Sequence, residues 1–329
     1  MSGGFIPYHL RHNKSIDREV FFEGLLKLSR ILPIDDYIYI GFGGPMLEDF
    51  RHLHHKTYIS HMISLEEDPN VFKRQLYNKP YSSISCQNAK STDFIDSYSF
   101  DKKSIFWLDY ASPKAIYSQL TDIETLSTKV SDGDILKVTF PINPLTVYTR
   151  GVKEPIESYR ENFNKRLYEI LSKKFINYDF TVDEKNISSR KIIGFLSDVI
   201  IDSFKNSVER GLSSRREELT FIPLVVNSYN DSSHTMLTIF GIYRLKSFYR
   251  ETLELTNLNC WPFISNHWHD IQEISIPSLT IKEKIELDSK LPSFKDYYTS
   301  AKNISINDSD IKNYHKYYRL YPNFQRVMV

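Results

Sequence analysis

Short apolar runs alternate with helical patterns along the first half of the chain. Each run has the length and the β-branched or aromatic content of a strand. The five runs cover residues 37–40, 57–65, 82–87, 104–108 and 134–140, and the helical patterns between them cover 45–54, 69–77 and 113–129. Apolar runs that alternate with helices are typical of parallel strands buried on both faces. The pattern therefore predicts a doubly wound, mostly parallel sheet.

Two long β-rich runs in the second half of the chain predict an antiparallel hairpin. They cover residues 220–228 and 235–243, and the turn-rich sequence YNDSSH connects them. Helical patterns over 159–173 and 191–209 come before the hairpin. The predicted fold class is therefore α/β, with a doubly wound, mostly parallel seven-stranded sheet, a C-terminal antiparallel hairpin and helical additions.

An amphipathic pattern over residues 15–32 predicts a helix before the first strand, with Ser15 as its cap and Pro33 as its end. Beyond the hairpin the pattern is less regular, and one helix is predicted at 281–290 with Thr280 as its cap. We therefore expect three parts. These are an N-terminal arm and helix over 1–34, a sheet domain over 35–246 and a C-terminal extension over 247–329 that packs on that domain.

Composition narrows the class of protein without identifying a reaction. The 329 residues carry a formal net charge of +1, so no bulk attraction to nucleic acid or anionic lipid is expected. Cys86 and Cys260 are far apart and have no CxxC partner, which argues against a disulfide scaffold. No apolar run is long enough for a signal peptide or a membrane span. We therefore expect a cytoplasmic protein that does not enter a membrane.

The first predicted strand runs into the glycine-rich sequence GFGG. A Walker loop is excluded, because it needs a Lys and a Ser or Thr that this segment lacks. A dinucleotide loop usually has Gly or Ala where Met46 stands, which weakens that alternative. A loop for S-adenosylmethionine (SAM) needs only close approach of the backbone. The candidate cofactor contacts are then Gly41, Phe42, Gly43 and Gly44, and a bare tight turn is the other interpretation.

Polar residues follow the next three predicted strands. Glu66 is positioned to accept both ribose hydroxyls of an adenosine cofactor, with a solvated acid at a helix start as the alternative. Asn88 can bond the adenine edge. Asp109 is the candidate catalytic or substrate-orienting residue and a cofactor contact, with a helix cap as the alternative. Tyr110 is the second catalytic candidate, because its ring can stack on a substrate or on adenine.

These segments, in this order, resemble a class I (Rossmann-type) SAM-dependent methyltransferase over residues 35–244. The five motifs of that family resemble IGFGG, SLEEDP, CQNAKSTDF, FWLDYASP and SDGDILKVTF. The whole chain also resembles bacterial O-methyltransferases, some of which are encoded in defence-related gene clusters. The resemblance implies SAM as the cofactor and in-line methyl transfer to an acceptor that the sequence does not identify.

Three departures from the family pattern bear on function. Tyr39 stands where an acid often precedes the first glycine, and Asn88 stands where Asp is usual. The sequence LDYAS replaces the motif of enzymes that methylate base amines, which argues against that reaction. The alternative function is therefore a catalytically degenerate binding or regulatory subunit, with a protein partner, in a bacterial and defence-related complex.

The segment before the first helix contains Tyr8, Arg11 and Lys14. We expect it to reach over the cofactor end of the sheet, where its cations can contact a carboxylate or phosphate of the substrate. A packing arm is the alternative. A third hypothesis is a nucleic-acid-binding enzyme that stacks bases on its tyrosines, which the neutral net charge disfavours.

Two histidine pairs have spacings that metal ligands can adopt. They are His52 with His55 and His267 with His269. Neither pair has the further acid or third ligand that a site needs, so no metal is expected.

Overall fold

One eight-stranded sheet forms the centre of the molecule. The computed structural model describes residues 11–175, 189–231 and 234–321. The strands are β1 (Ile38–Gly41), β2 (His61–Leu65), β3 (Ile84–Gln87), β4 (Ser104–Asp109), β5 (Ile135–Ile142), β6 (Leu219–Asp231), β7 (His234–Leu245) and β8 (Gln272–Ile274). Their order in the sheet is β3-β2-β1-β4-β5-β7-β6-β8. The first five strands are parallel to one another, and β7 is antiparallel to both β5 and β6. The predicted fold class is confirmed.

The eighth strand comes from the C-terminal segment and was not predicted. It pairs in parallel with β6 at Asn227 to Tyr229. Its three residues are too few to show a period of two, so the predicted sheet has one strand fewer than the observed sheet.

Helices cover both faces of the sheet. They are α1 (His12–Leu28), α2 (Glu48–Thr57), α3 (Pro69–Asn78), α4 (Ser91–Ser97), α5 (Ile116–Lys129), α6 (Pro144–Val147), α7 (Ile156–Phe175), α8 (Ser189–Ser213), α9 (Tyr249–Leu255), α10 (Ile281–Asp288), α11 (Phe294–Asn303) and α12 (Asp308–Tyr317). In the part of the chain that the structure describes, no helix is long and apolar enough to cross a membrane.

Several predicted element ends are wrong. The first helix ends at Leu28 and not at Pro33, because turns that bond back to Leu25, Lys27 and Leu28 replace its predicted last residues. Ser15 lies inside α1, and Arg11 occupies the cap position without a side-chain cap bond. The helix starts early because ion pairs, described below, hold its polar first turns on the sheet. The second strand begins at His61 rather than at residue 57, because α2 continues to Thr57. Tyr58 then closes α2 in the left-handed conformation, with φ of +60°.

Two apolar layers enclose the sheet. On one face α5, α7 and α8 contribute buried residues such as Ile123, Phe163 and Phe204. On the other face α1 contributes Phe21, and the C-terminal segment adds Phe263. The last helices also share a small apolar core of their own. The division of the chain into three parts stays a prediction.

The carboxyl ends of β1 to β4 meet at one edge of the sheet. Asp109 at the end of β4 is level with Thr139 of β5, which is level with Thr238 of β7. Thr238 is in turn level with Asn227 of β6. The strand β6 continues from Asn227 to Asp231, a further ~13 Å at the usual rise per residue. The strands β5, β7 and β6 therefore form a wall that extends past Asp109.

Candidate functional site

Close packing and backbone conformation account for the glycines after β1. A Cβ atom on Gly43 would lie 2.2 Å from Leu47 Cδ2, so no larger residue fits without movement. Gly44 has a φ of +52°, in the left-handed region that favours glycine. The hydroxyl of the buried Tyr39 lies 2.7 Å from the position of a Cβ on Gly41. A neutral hydroxyl thus stands beside the loop where the family pattern has an acid.

Phe42 and Tyr110 belong to the apolar layer that α5, α7 and α8 form. Their ring centroids are 5.7 Å apart in an edge-to-face arrangement. The Tyr110 hydroxyl donates to Asp122 Oδ2 at 2.9 Å. Burial and the Asp122 carboxylate raise the pKa of Tyr110 well above its ordinary value, so this hydroxyl keeps its proton. Tyr110 is a buried donor, and the stacking role predicted for it stays a prediction.

Glu66 and Asn88 lie together where β2 and β3 end. Asn88 Nδ2 donates to the carbonyl of Glu66 at 2.7 Å and to that of Glu67 at 3.2 Å. The Glu66 carboxylate accepts from the Asp68 N–H at 2.9 Å. Burial raises the pKa of Glu66 above its ordinary value, although the Asp68 N–H opposes the change. The amide of Asn88 therefore fixes the β2 loop against the β3 loop.

A shallow depression of about 430 Å³ lies between these two loops. Its lining consists of Glu67, Asp68, Pro69, Asn88, Ala89, Lys90 and Asp93. Asn88 is part of this lining and Glu66 is not.

Asp109 forms an ion pair with the first helix. Lys14 Nζ lies 3.0 Å from Asp109 Oδ2 and 4.0 Å from Asp231 Oδ2, and the Arg11 guanidinium pairs with Asp231. Burial favours the neutral acid, but the positive charges of Lys14 and Arg18 outweigh burial and lower the pKa of Asp109. Asp109 is thus ionised at neutral pH. The cations predicted to contact a substrate anion contact carboxylates of the protein itself.

Two more ion pairs hold the N-terminal half of α1. Lys137 Nζ in β5 lies 2.7 Å from Asp17 Oδ2, and the two side chains are 1% and 2% exposed. Lys137 Nζ also lies 3.9 Å from the centroid of the Trp107 ring, as a cation–π contact. Arg18 pairs with Asp49 of α2. These five ion pairs therefore join Arg11 and the first turns of α1 to β4, β5, β6 and α2.

The predicted site residues form two groups at the sheet edge. Glu66 and Asn88 stand beside the depression, and Asp109 stands with the cations of α1. The glycine loop lies between the groups, because β1 is between β2 and β4 in the sheet. Tyr8 lies outside the described residues.

One histidine of each pair noted in the sequence bonds to other side chains. His269 has Nδ1 3.0 Å from Asp198 Oδ1 and Nε2 3.1 Å from Asp202 Oδ1. His55 Nε2 lies 2.7 Å from the Tyr81 hydroxyl. Within the described ranges, no three His, Cys, Asp or Glu residues are grouped so that they could hold a metal ion.

Sequence reasoning missed Asp122, Lys137 and Asp231. Asp122 is 4% exposed on the inner side of α5, and Lys137 is a charge inside the apolar run of β5. Both residues could have been found from the sequence, because each is a charged residue at a position where the hydrophobic pattern of its helix or strand predicts an apolar one. Asp231 gives no such signal, because it belongs to the stretch YNDSSH that predicts a turn.

Comparison with known proteins gives a family match. A family model described as "Putative O-methyltransferase" matches residues 6–329. No curated protein matches the chain. The chain is similar to the solved structure of the Methanococcus jannaschii fibrillarin pre-rRNA processing protein, with 12% identity, 66% of this chain and 70% of that chain covered, and a TM-score of 0.36. It is also similar to the N-methyltransferase NodS of Bradyrhizobium japonicum WM9, with 13% identity, coverage of 70% and 97%, and a TM-score of 0.37.

Proposed function

The chain belongs to this O-methyltransferase family, and from that premise we propose that it transfers a methyl group from SAM to a hydroxyl oxygen. Membership confirms the family resemblance of the sequence motifs. It places the chain among SAM-dependent methyltransferases, with SAM as the cofactor. The hydroxyl acceptor is the part of the proposal that goes beyond membership.

The observation that carries the cofactor part of the proposal is the acceptor oxygen of Asn88 beside the depression. Both donor bonds of the Asn88 amide go to loop carbonyls. Its oxygen Oδ1 has no hydrogen-bond partner in the described part of the chain, and it can accept from the exocyclic amino group of adenine. The Glu66 carboxylate at the end of the neighbouring strand can accept the ribose hydroxyls. The donors and acceptors present therefore fit an adenosine cofactor.

The glycine loop would hold the rest of the cofactor. Protein atoms fill the space of a Cβ at Gly41 and Gly43, and Gly44 has a positive φ, so no side chain of these three residues stands between the loop backbone and a ligand. Phe42 provides an apolar surface between them, and Asp109 stands at the next strand end. These residues are proposed as the cofactor site together with Glu66 and Asn88.

Bound SAM supplies an electrophilic methyl group. Because the transfer is an in-line displacement, the protein contributes alignment more than covalent chemistry. Asp109 Oδ2 accepts from Lys14, while Oδ1 has no hydrogen-bond partner among the residues described. The lowered pKa makes Asp109 a weak base, so we assign it the role of accepting the hydrogen bond of the acceptor hydroxyl and orienting its oxygen.

The start of α1 adjoins the proposed acceptor site, because Lys14 of α1 pairs with Asp109. The contact of Tyr8 with the acceptor stays a prediction, because Tyr8 lies outside the described residues. Lys14 and Arg11 act by holding Asp109 and Asp231 in place.

The test is methyl transfer from SAM with a labelled methyl group. The chain is incubated with a panel of hydroxyl-bearing small molecules, and the label in each product is located by mass spectrometry. We expect label on oxygen, and a rate that falls at least tenfold in Asp109→Asn because alignment is lost. Label on nitrogen or carbon would contradict the acceptor assignment.

A second candidate is a binding or regulatory subunit without catalysis, in a cytoplasmic, bacterial, defence-related complex. Tyr39 favours it, because a buried neutral hydroxyl replaces an acid of the family pattern. The bond from Lys14 to Asp109 favours it too, since it occupies part of the carboxylate. This candidate requires binding of S-adenosylhomocysteine without methyl transfer to any acceptor, and a partner protein that copurifies.

A further inference from the structure

A buried carboxylate on α5 joins the two halves of the edge at which the strands end. Asp122 is 4% exposed and accepts three hydrogen bonds from hydroxyl groups. Ser91 Oγ donates at 2.6 Å, Thr92 Oγ1 at 2.8 Å and Tyr110 Oη at 2.9 Å. Both carboxylate oxygens are used, because Thr92 bonds to Oδ1 while the other two bond to Oδ2.

The three donors stand next to residues of the proposed cofactor site. Ser91 and Thr92 are the first residues of α4 and directly follow Asn88, Ala89 and Lys90, which line the depression. Tyr110 directly follows Asp109. A single carboxylate therefore ties the adenine side of the site and the end of β4 to the same rigid helix.

The loop after β3 has few other supports. Asn88 ties it to the β2 loop, and Ala89 N–H donates to the Glu66 carbonyl at 3.2 Å. Lys90, in the cap position of α4, makes no side-chain cap bond. The hydroxyl bonds to Asp122 thus tie the residues next to this loop to α5, while Lys129 Nζ bonds to the carbonyls of Ile95 and Asp96 at the other end of α4.

We propose that Asp122 is a positioning residue for cofactor binding, which holds Asn88 and Asp109 at the separation that SAM requires. This inference rests on the proposed function. It assigns no contact between Asp122 and the cofactor, because the carboxylate is buried and both of its oxygens already accept hydrogen bonds within the protein. Its effect passes through Ser91 and Thr92 on one side and through Tyr110 on the other.

A carboxylate with three donors differs from its isosteric amide in a specific way. In Asp122→Asn one acceptor oxygen becomes an NH₂ donor, so at least one of the three hydroxyls must turn away or act as acceptor. The loop and Tyr110 then lose a common anchor, although side-chain volume is unchanged. Buried polar networks that are only partly satisfied loosen the groups they connect.

The chain offers a matched control at the opposite edge of the sheet. Asp134 is also a buried acid, at 2% exposure, and it accepts from the backbone N–H groups of Ser104 and Ser131 at 2.7 and 2.6 Å. These partners lie where β4 and β5 begin, away from the proposed site. Asp134→Asn therefore reports the loss of stability from neutralising a buried acid without disturbing the cofactor edge.

The test is calorimetric titration of the full chain with S-adenosylhomocysteine, alongside thermal melts. We expect about tenfold weaker binding by Asp122→Asn, the size of one lost hydrogen bond to a charged group, and binding within twofold of wild type by Asp134→Asn. If Asp122→Asn does not fold, Ser91→Ala/Thr92→Ala removes two donors and should weaken binding at least threefold. Equal binding by Asp122→Asn and wild type, or an equal loss in Asp134→Asn, would overturn the inference alone. A wild type that binds no S-adenosylhomocysteine would overturn it together with the proposed function.

Discussion

Lys14 Nζ lies 3.0 Å from Asp109 Oδ2, so an ion pair joins the first helix to the end of the fourth strand. The residue proposed to orient the acceptor thereby depends on a helix that comes before the sheet in the chain. The partners are 95 positions apart. The pair also explains why a helix with charged residues on its inner side packs against the sheet.

Loss of this ion pair should destabilise the fold. In Lys14→Met, Asp109 stays ionised at pH 7 without its nearest cation, and the two side chains are only 9% and 18% exposed. We expect the free energy of unfolding to fall by about 2 kcal/mol, measured by urea denaturation. Lys56→Met is the control, because Lys56 is 38% exposed in its pair with Glu19 and should cost at most about 0.5 kcal/mol. Equal losses in the two variants would contradict this reading.

The charge on Asp109 should appear in the pH dependence of stability. Its pKa is lower in the folded chain than in the unfolded chain, where an ordinary Asp titrates near about 3.9. Its ionised form therefore contributes stability above that value, and the contribution is lost as pH falls through the folded pKa. Denaturation curves from pH 5 to pH 2.5 should fall more steeply for the wild type than for Asp109→Asn. Parallel curves would show that Asp109 is not perturbed.

Asp122 should change the free energy of unfolding with pH in the opposite direction to Asp109. Burial raises its pKa in the folded chain, and the donated bonds from Ser91, Thr92 and Tyr110 oppose that rise only in part. The folded chain thus binds the proton more readily, so Asp122 favours folding at low pH and opposes it as pH rises above about 4. Stability of Asp122→Asn relative to wild type should increase across this range. A relative stability that does not change with pH would mean that the pKa of Asp122 is the same in both states.

The buried pair of Asp17 and Lys137 should show strong coupling. Asp17→Leu leaves the Lys137 ammonium in an apolar layer beside Trp107, and we expect a loss of about 3–5 kcal/mol. The double variant Asp17→Leu/Lys137→Met removes both charges and should recover most of that loss. A double-mutant cycle by chemical denaturation measures the coupling. Additive effects of the two substitutions would contradict the assignment of a paired charge.

The glycine loop should not tolerate a methyl group at its tightest point. A Cβ on Gly43 would lie 2.2 Å from Leu47 Cδ2 and 2.5 Å from Ser64 Oγ, so Gly43→Ala should cost about 1–3 kcal/mol through overpacking. Gly194→Ala is the control, because it is inside α8 and no atom beyond its chain neighbours and the backbone of that helix lies within 4 Å of its Cβ position. That variant should be neutral or stabilising by about 0.5–1 kcal/mol. Thermal melts of both variants measure these effects. Equal shifts of the melting temperature would refute the packing argument.

Local signals in the sequence predicted the sheet, the hairpin, the start of α3 and the cap of α10. Asp68 accepts from the N–H groups of Asn70 and Val71, with Pro69 as the first helical residue. Thr280 forms the capping box that its position before residues 281–290 predicts. These features depend on residues a few positions apart, so the sequence displays them directly.

The contacts around Asp109 could not be predicted in the same way. Lys14, Asp17 and Arg11 pair with partners 95, 120 and 220 positions away, and spacing along the chain says nothing about such contacts. The predicted fold class was enough to expect Lys14 and Asp109 at the same end of the sheet. Their bond to each other depends on the tilt of α1, which only the assembled layers determine.

Calorimetric titration with SAM and S-adenosylhomocysteine is the decisive experiment for the proposed cofactor site. We expect the wild type to bind both ligands and Glu66→Ala to bind at least tenfold more weakly, because the acceptors for the ribose hydroxyls are lost. Glu209→Ala, an exposed acid on α8, should bind as the wild type does. No binding by the wild type would contradict the proposed cofactor, and undiminished binding by Glu66→Ala would contradict the site.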